Sequence, residues 1–423
     1  MARTDADFAC VTRVRAPPSG WNRGREGGKV RCEGPHGRGG RWAYENAMSD
    51  VDGELERAVE RGVFPGAVVL VRNGTREAEV CAYGNSAIEP APRPMLEDTI
   101  FDLSSLTKAL ATSVAVMLLV KDGVLRLDDR VSRFFHNFGV HGKTHVTFRH
   151  LLSHSSGLAA WRPYFESIRK IEQRGEKVNF LGSVAAKEFV YQEICRERPE
   201  SAPGVKAVYS DLGFILLGAA VETIGGKSLD RFCRDRIFKP LGLRSTAFVD
   251  LSMIRARRIE PVTEMIAATE RCPWRKQVLC GVVHDDNAYA MGGVAGHAGL
   301  FGSARDIDQM LVRLRACWLG EDDFLPAPIV REFWRIDGAV PDSTWALGWD
   351  TPSATRSMAG VRFSKKTVGH LGFTGTSMWM DLERNRHIIL LTNRVHPRRD
   401  NDAIREFRPM IHDRINEALD RDP

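Results

Sequence analysis

FDLSSLTKALATSVAVMLLVKDG, residues 101–123, decides how the rest of this chain is read. From Ser105 onward it is apolar almost all round, which predicts a long buried helix, and Gly123 is a good residue to close one. Ser105 and Lys108 stand three apart at its start. On a helix that spacing puts an ammonium beside a hydroxyl. Taken alone the pair is weak, because Ser167-Ile168-Arg169-Lys170 repeats the pattern by chance and Ser105 would serve equally as a helix cap.

Upstream, the stretch from Asp50 to Arg61 has helical spacing. GAVVLVRNGTREAEVCAYG, residues 66–84, then gives two β-rich runs around Asn73-Gly74, a strong hairpin signal. Downstream, residues 125–284 carry mostly helical patterning broken by Gly and Pro. Ser303 and Asp306 suit a helix N-terminus, and SMWMDLERNRHIILLTNRV, residues 377–395, reads as two strands joined at Glu383 to Asn385. Residues from Ala403 to Leu419 read as a closing helix. The expected fold class is α+β: an antiparallel sheet built from both ends of the chain (48–124 and 285–423), flanked by helices, with an all-helical subdomain (125–284) inserted between them. A cleft between two such parts is where a site is expected.

Of 423 residues, 43% are hydrophobic and 27% charged, an ordinary globular balance. The net charge is +6, but residues 1–47 hold eight Arg and one Lys against two Asp and three Glu, so about +4 of it sits there. The remainder is nearly neutral, which removes the electrostatic warrant for nucleic-acid binding. The first 47 residues are Gly-rich without an apolar period and read as a disordered leader; ordered patterning starts at Met48, the expected true start. No apolar core of a secretory signal and no membrane-length apolar run is present. The eight cysteines are scattered without a C-x-x-C pair and read as reduced thiols, so the expected location is cytoplasmic.

Further motifs strengthen the Ser105 pair. Tyr209-Ser210-Asp211 heads the apolar run YSDLGFILLG (209–218), and His370-Leu371-Gly372 precedes a strand in VGHLGFTGTSMWMD (368–381). With FRHLLSHSSGL (148–158) and GGVAGHAGLFGSARDI (292–307), these phrases resemble the serine beta-lactamase and penicillin-binding-protein superfamily, in its class C branch with D-alanyl-D-alanine carboxypeptidases and family VIII esterases. They occur in the expected order from about residue 50 to the end. The resemblance implies Ser105 as the nucleophile, Lys108 or Tyr209 as its base, and an oxyanion hole from the backbone N–H groups of Ser105 and Phe373. It implies an acyl-enzyme hydrolase of a small ester or a D-amino-acid or cell-wall peptide. The alternatives are a beta-lactamase and a non-catalytic binding member of the fold. The mechanism calls for no cofactor and no metal. The expected partner is a small-molecule or peptide substrate, with no nucleic acid and no membrane, and the oligomeric state is left open.

Two departures narrow the expectation. The family's usual Lys-Thr-Gly is here His370-Leu371-Gly372, so a permanent cation for a substrate carboxylate is missing; Lys366-Thr367-Val368 does not replace it, because the strand needs Gly where Val368 stands. Asp211 occupies a position where the family commonly has Asn, and a carboxylate only accepts hydrogen bonds. His284, Asp285, Asp286 and His297 match no standard zinc spacing, leaving His284 and Asp286 as candidate substrate contacts. His150 and His154 read as hydrogen-bonded structural residues.

Overall fold

The computed structural model describes residues 11–12 and 42–421. Helix α1 spans Trp42–Glu60 and leads into the hairpin of β1, Gly66–Asn73, and β2, Glu79–Ala87. β3, Arg93–Pro94, extends the edge. At the other end of the chain β9, Thr367–Leu371, β10, Ser377–Asp381, and β11, Arg386–Thr392, form an antiparallel meander. β11 pairs with β1 from Ala67 opposite Thr392 to Asn73 opposite Arg386, giving one six-stranded sheet of order β3-β2-β1-β11-β10-β9.

Side chains alternate across a strand, and here both faces are covered. Ala67, Val69, Val71, Ile388 and Leu390 pack with α1 and the closing helix α12, Ile404–Arg421, through Leu55, Phe407, Ile411 and Ile415. Val68, Leu70, Ile389 and Leu391 face the larger core, which holds α2, Val114–Lys121, and α10, Ala304–Leu319. Covering both faces explains why these strands read as continuous apolar runs.

β4, Phe101–Asp102, leads directly to Ser105 and belongs to a second sheet of order β4-β8-β5, where β5 is Ala247–Phe248 and β8 is Leu300–Gly302. Between β4 and β8 lie α3, Phe148–Leu152, α4, Tyr164–Gln173, α5, Val184–Arg196, and α6, Asp211–Gly225. They are followed by α7, Leu229–Cys233, α8, Leu251–Arg255, and α9, Asp286–Ala290; α11, Ala327–Phe333, follows α10. Residues 125–284 are not wholly helical: β5 and the short pair β6, Arg271–Cys272, with β7, Gln277–Val278, interrupt the helices.

Two local expectations need correction. The helix after Ser105 is not α-helical throughout, because Lys108–Ser113 form a wider π turn before α2 begins. All-round apolarity predicts burial, but it does not fix pitch. Helix α1 also begins at Trp42, ahead of the Asp50 from which its pattern was read, so the expected disordered leader does not extend through residue 47. Residues 1–10 and 13–41 lie outside the described residues; Val11, within the leader, is buried, and its carbonyl accepts the Val262 N–H at 3.1 Å. Among the described residues, no single helix is long and apolar enough to cross a membrane.

Candidate active site

Ser105 sits in the turn between β4 and the π turn, so its hydroxyl is presented at the end of a buried strand. The Lys108 ammonium is fully buried and donates to Ser105 Oγ at 3.0 Å and to the His297 carbonyl at 2.9 Å. Its Nζ also lies 2.7 Å from Asp211 Oδ1. Burial alone would lower the Lys108 pKa, but the carboxylate of Asp211 and the oxygen of Tyr209 outweigh it and raise it above the ordinary value. Lys108 is therefore a fixed cation with its protons directed at three partners.

The Tyr209 side chain stands beside Lys108, whose ammonium lies 4.9 Å from its ring centroid, and burial pushes its pKa up. Its ring packs in a triangle with two others, which lie 4.5 Å from each other. The His154 ring lies 4.7 Å away and the Trp345 ring 5.4 Å away, stacked at 29°. His154 adopts a positive φ of 55°, and its Nδ1 accepts the Ser210 N–H at 3.0 Å. That bond fixes the residue after Tyr209, and Ser210 then caps α6 through the Gly213 N–H at 3.3 Å. His150 has a different task, forming a capping box with Thr147 at the start of α3.

Phe373, the expected second oxyanion donor, lies in the loop after β9. Two threonines of this loop lace it to the segment before the nucleophile: Thr374 Oγ1 donates to the Asp102 carbonyl at 2.8 Å and Thr376 Oγ1 to the Leu103 carbonyl at 3.1 Å. Arg394 Nε donates to the Phe373 carbonyl at 2.8 Å and its guanidinium lies 4.6 Å from the Phe373 ring centroid. Gly372 is required by the close approach. A Cβ there would meet Thr376 Oγ1 at 2.0 Å and the Leu103 carbonyl at 2.8 Å.

His370 stands on β9 in the same cluster, its ring centroid 6.1 Å from that of Tyr209 and 5.9 Å from that of Trp345. Burial, and then the Lys108 charge, push its pKa down to about 3, so the ring is neutral at physiological pH. The structure thus brings Ser105, Lys108, Tyr209, Asp211, His370, Gly372 and Phe373 together. His284 joins at the margin: its N–H donates to Asp102 Oδ2 at 2.6 Å, its Nε2 lies 3.3 Å from Glu270, and its ring stacks 5.7 Å from that of Phe373. It packs against the loop that carries Phe373.

Asp286 is placed differently from the expected substrate contact. Its carboxylate accepts from Trp274 Nε1 at 2.9 Å, Arg275 at 2.7 Å and Arg399 at 3.2 Å, so its acceptor capacity goes to the protein itself. Residues that sequence reasoning missed are Trp345, Asp102 and Ser104, while Asp285 was weighed only as part of a set that matches no zinc spacing. Asp285 binds His297 Nε2 at 2.9 Å and so steadies the peptide whose carbonyl holds Lys108. Only the invariable need of a buried ammonium for several acceptors could have pointed to such a carbonyl.

A serine hydroxyl hydrogen-bonded to a buried ammonium, beside a phenol and a neutral imidazole, on a two-part body with a six-stranded antiparallel sheet, defines a serine hydrolase of the penicillin-binding type. The chain belongs to the beta-lactamase family, whose family model matches residues 51–408. It is 32% identical over 380 residues to an N-acetylmuramyl-L-alanine amidase of Bacillus subtilis (strain 168), covering 82% of this chain and 81% of the relative. It is also 32% identical over 336 residues to an Escherichia coli (strain K12) protein named "Putative D-alanyl-D-alanine carboxypeptidase", covering 74% of this chain and 73% of the relative. Among solved structures, EstCE1, described as a hydrolase with promiscuous acyltransferase activity, superposes with a TM-score of 0.66 at 22% identity, over 88% of this chain and 99% of that one. That likeness concerns the fold.

Proposed function

We propose that this protein forms an acyl-enzyme on Ser105 from an ester or amide and releases the acyl group to water, its substrates being small esters and D-amino-acid or cell-wall peptide fragments. The observation that carries the reading is the Lys108 Nζ to Ser105 Oγ contact of 3.0 Å, with the Tyr209 ring centroid 4.9 Å from the same ammonium. Lys108 donates to Oγ and so does not accept its proton. The acylating form has one proton fewer, with Tyr209 Oη facing the Lys108 ammonium as a phenolate. As Oγ attacks the carbonyl carbon, its proton passes to Tyr209 Oη and from there to the leaving group. The carbonyl oxygen becomes an oxyanion between the N–H groups of Ser105 and Phe373. Water repeats the sequence in deacylation.

The charge pattern argues for substrates without a carboxylate beside the scissile bond. His370 is neutral, and the Lys108 charge is already matched by Asp211. Asp211 retains 17% side-chain exposure although its Oδ1 is buried, which turns the rest of the carboxylate toward the cleft as an acceptor for a substrate N–H or amine. The two relatives are named for amides of the wall peptide, and an amide bond in such a fragment without a neighbouring carboxylate fits these groups better than a penicillin. The same reading places the enzyme in the cytoplasm, without a nucleic-acid or membrane partner. Cys195, Cys233, Cys272, Cys280 and Cys317 carry free thiols, which supports a reducing compartment.

The test is hydrolysis of a p-nitrophenyl ester, nitrocefin and a D-alanyl-D-alanine peptide by wild type and Ser105→Ala between about pH 6 and 9. Ester turnover that disappears in the variant, with little on nitrocefin, is the expected result. No turnover and no labelling of Ser105 by a fluorophosphonate would sink the proposal.

A further inference from the structure

Ser104, the residue before the nucleophile, has a φ of 50°, a left-handed conformation that is costly for any residue with a Cβ. Three backbone bonds hold it there: its N–H donates to Asp102 Oδ1 at 2.9 Å, and its carbonyl accepts the Thr107 N–H at 3.1 Å and Thr107 Oγ1 at 2.6 Å. This backbone directs the Ser104 side chain toward the β9 loop, where it is buried, and its Oγ accepts the Phe373 N–H at 3.2 Å. That N–H is the second donor of the oxyanion hole in the function proposed above.

We infer that the Ser104 hydroxyl occupies the oxyanion hole of the free enzyme as an internal stand-in for the substrate oxygen, and that substrate must displace it. One amide hydrogen cannot point along two directions at full strength. Without a partner, this amide would bear the cost of an unsatisfied donor whenever the cleft is dry. A neutral carbonyl oxygen competes with the hydroxyl on nearly equal terms, whereas an oxyanion makes a bond roughly twice as strong. Displacing the hydroxyl costs the same free energy in the Michaelis complex and in the transition state, so the competitor shows in KM and not in kcat. After displacement, Ser104 turns about its side-chain torsion while its three backbone bonds stay in place.

Ser104→Ala and Ser104→Gly are the test, the glycine variant guarding against strain at the positive φ. Both remove the competitor and are expected to raise kcat/KM on a p-nitrophenyl ester about three- to tenfold, through a lower KM at little-changed kcat. A fall in kcat/KM in both variants would mean that the hydroxyl donates to the oxyanion. Unchanged kinetics would mean that it does not compete. Hydrogen exchange of the Phe373 amide, followed by NMR in the free enzyme, does not require turnover. Exchange about tenfold or more faster in both variants is expected, and unaltered exchange overturns the inference even if the protein hydrolyses nothing. Failure of wild type to label at Ser105 with a fluorophosphonate is a separate result that bears on the proposed function.

Discussion

Replacing Gly372 with alanine tests whether the seam between the two laced loops sets the position of the oxyanion hole. The new Cβ would lie 2.0 Å from Thr376 Oγ1 and 2.8 Å from the Leu103 carbonyl, where ordinary contact begins at 3.4 Å. Thr376 can rotate away only by giving up its 3.1 Å bond to that carbonyl, a loss of about 1 kcal/mol. The carbonyl cannot retreat without carrying Ser104 and Ser105 with it. The remaining strain, about 1–3 kcal/mol by analogy with overpacked cores, forces the end of β9 outward and moves the Phe373 N–H by several tenths of an ångström. Misplacing or losing one oxyanion donor costs about 10²-fold in kcat. The assay is kcat on a p-nitrophenyl ester, beside a thermal melt to show that the variant is folded. A folded variant with kcat within about threefold of wild type would refute the placement of the hole at Phe373.

Three more outcomes follow from the charges. Asp211→Asn removes a carboxylate that raises the Lys108 pKa against the lowering by burial, and that adds to the rise of Tyr209 caused first by burial. Both groups then lose their protons at lower pH, and the rising limb of the kcat/KM profile moves to the acid side; an unmoved limb contradicts this role. His370→Asn leaves the acid limb where it is, because burial and Lys108 hold the His370 pKa at about 3; a limb near pH 6.5 that disappears in the variant would show that the ring titrates after all. Arg72 on β1 pairs with Asp308 on α10 at 2.7 Å, and His387 on β11 binds the same carboxylate. Burial would raise the Asp308 pKa, but these bonds hold it at about 2, so their stabilisation is present above the ordinary aspartate range and is lost as pH falls through about 2. Arg72→Ala is expected to cost about 3 kcal/mol in urea unfolding at neutral pH, with a smaller gap in acid; a neutral-pH loss below about 0.5 kcal/mol would contradict this account.

Much of the sheet was legible because its signals are local. The Asn73-Gly74 turn between β-rich runs, the polar turn at Glu383 to Asn385 and the apolar stretch of α6 depend on neighbours in sequence. The pairing of Ser105 with Lys108 was legible for the same reason, and Tyr209 and His370 entered through their motif phrases. What the sequence hid depends on distant partners. Asp286 looked available until Arg399, 113 residues away, took up its carboxylate. Asp211 looked like a substrate contact alone, whereas its first oxygen belongs to Lys108. Trp345 lies in a loop with no periodic pattern, and nothing near it predicts a stacking partner for Tyr209.

The π turn from Lys108 to Ser113 makes residue count, beyond residue type, part of what the site demands. Each residue of an α-helix advances the chain by about 100°. Deleting one residue from this turn to restore α-helical pitch would rotate Ser105 and Lys108 by that angle relative to α2, whose buried Val114 to Leu119 cannot follow. Lys108 would then point away from Asp211 and the His297 carbonyl. Substitutions in the segment are tolerable wherever the side chains fit, but a change in its length is a change of register between the nucleophile and everything that holds it.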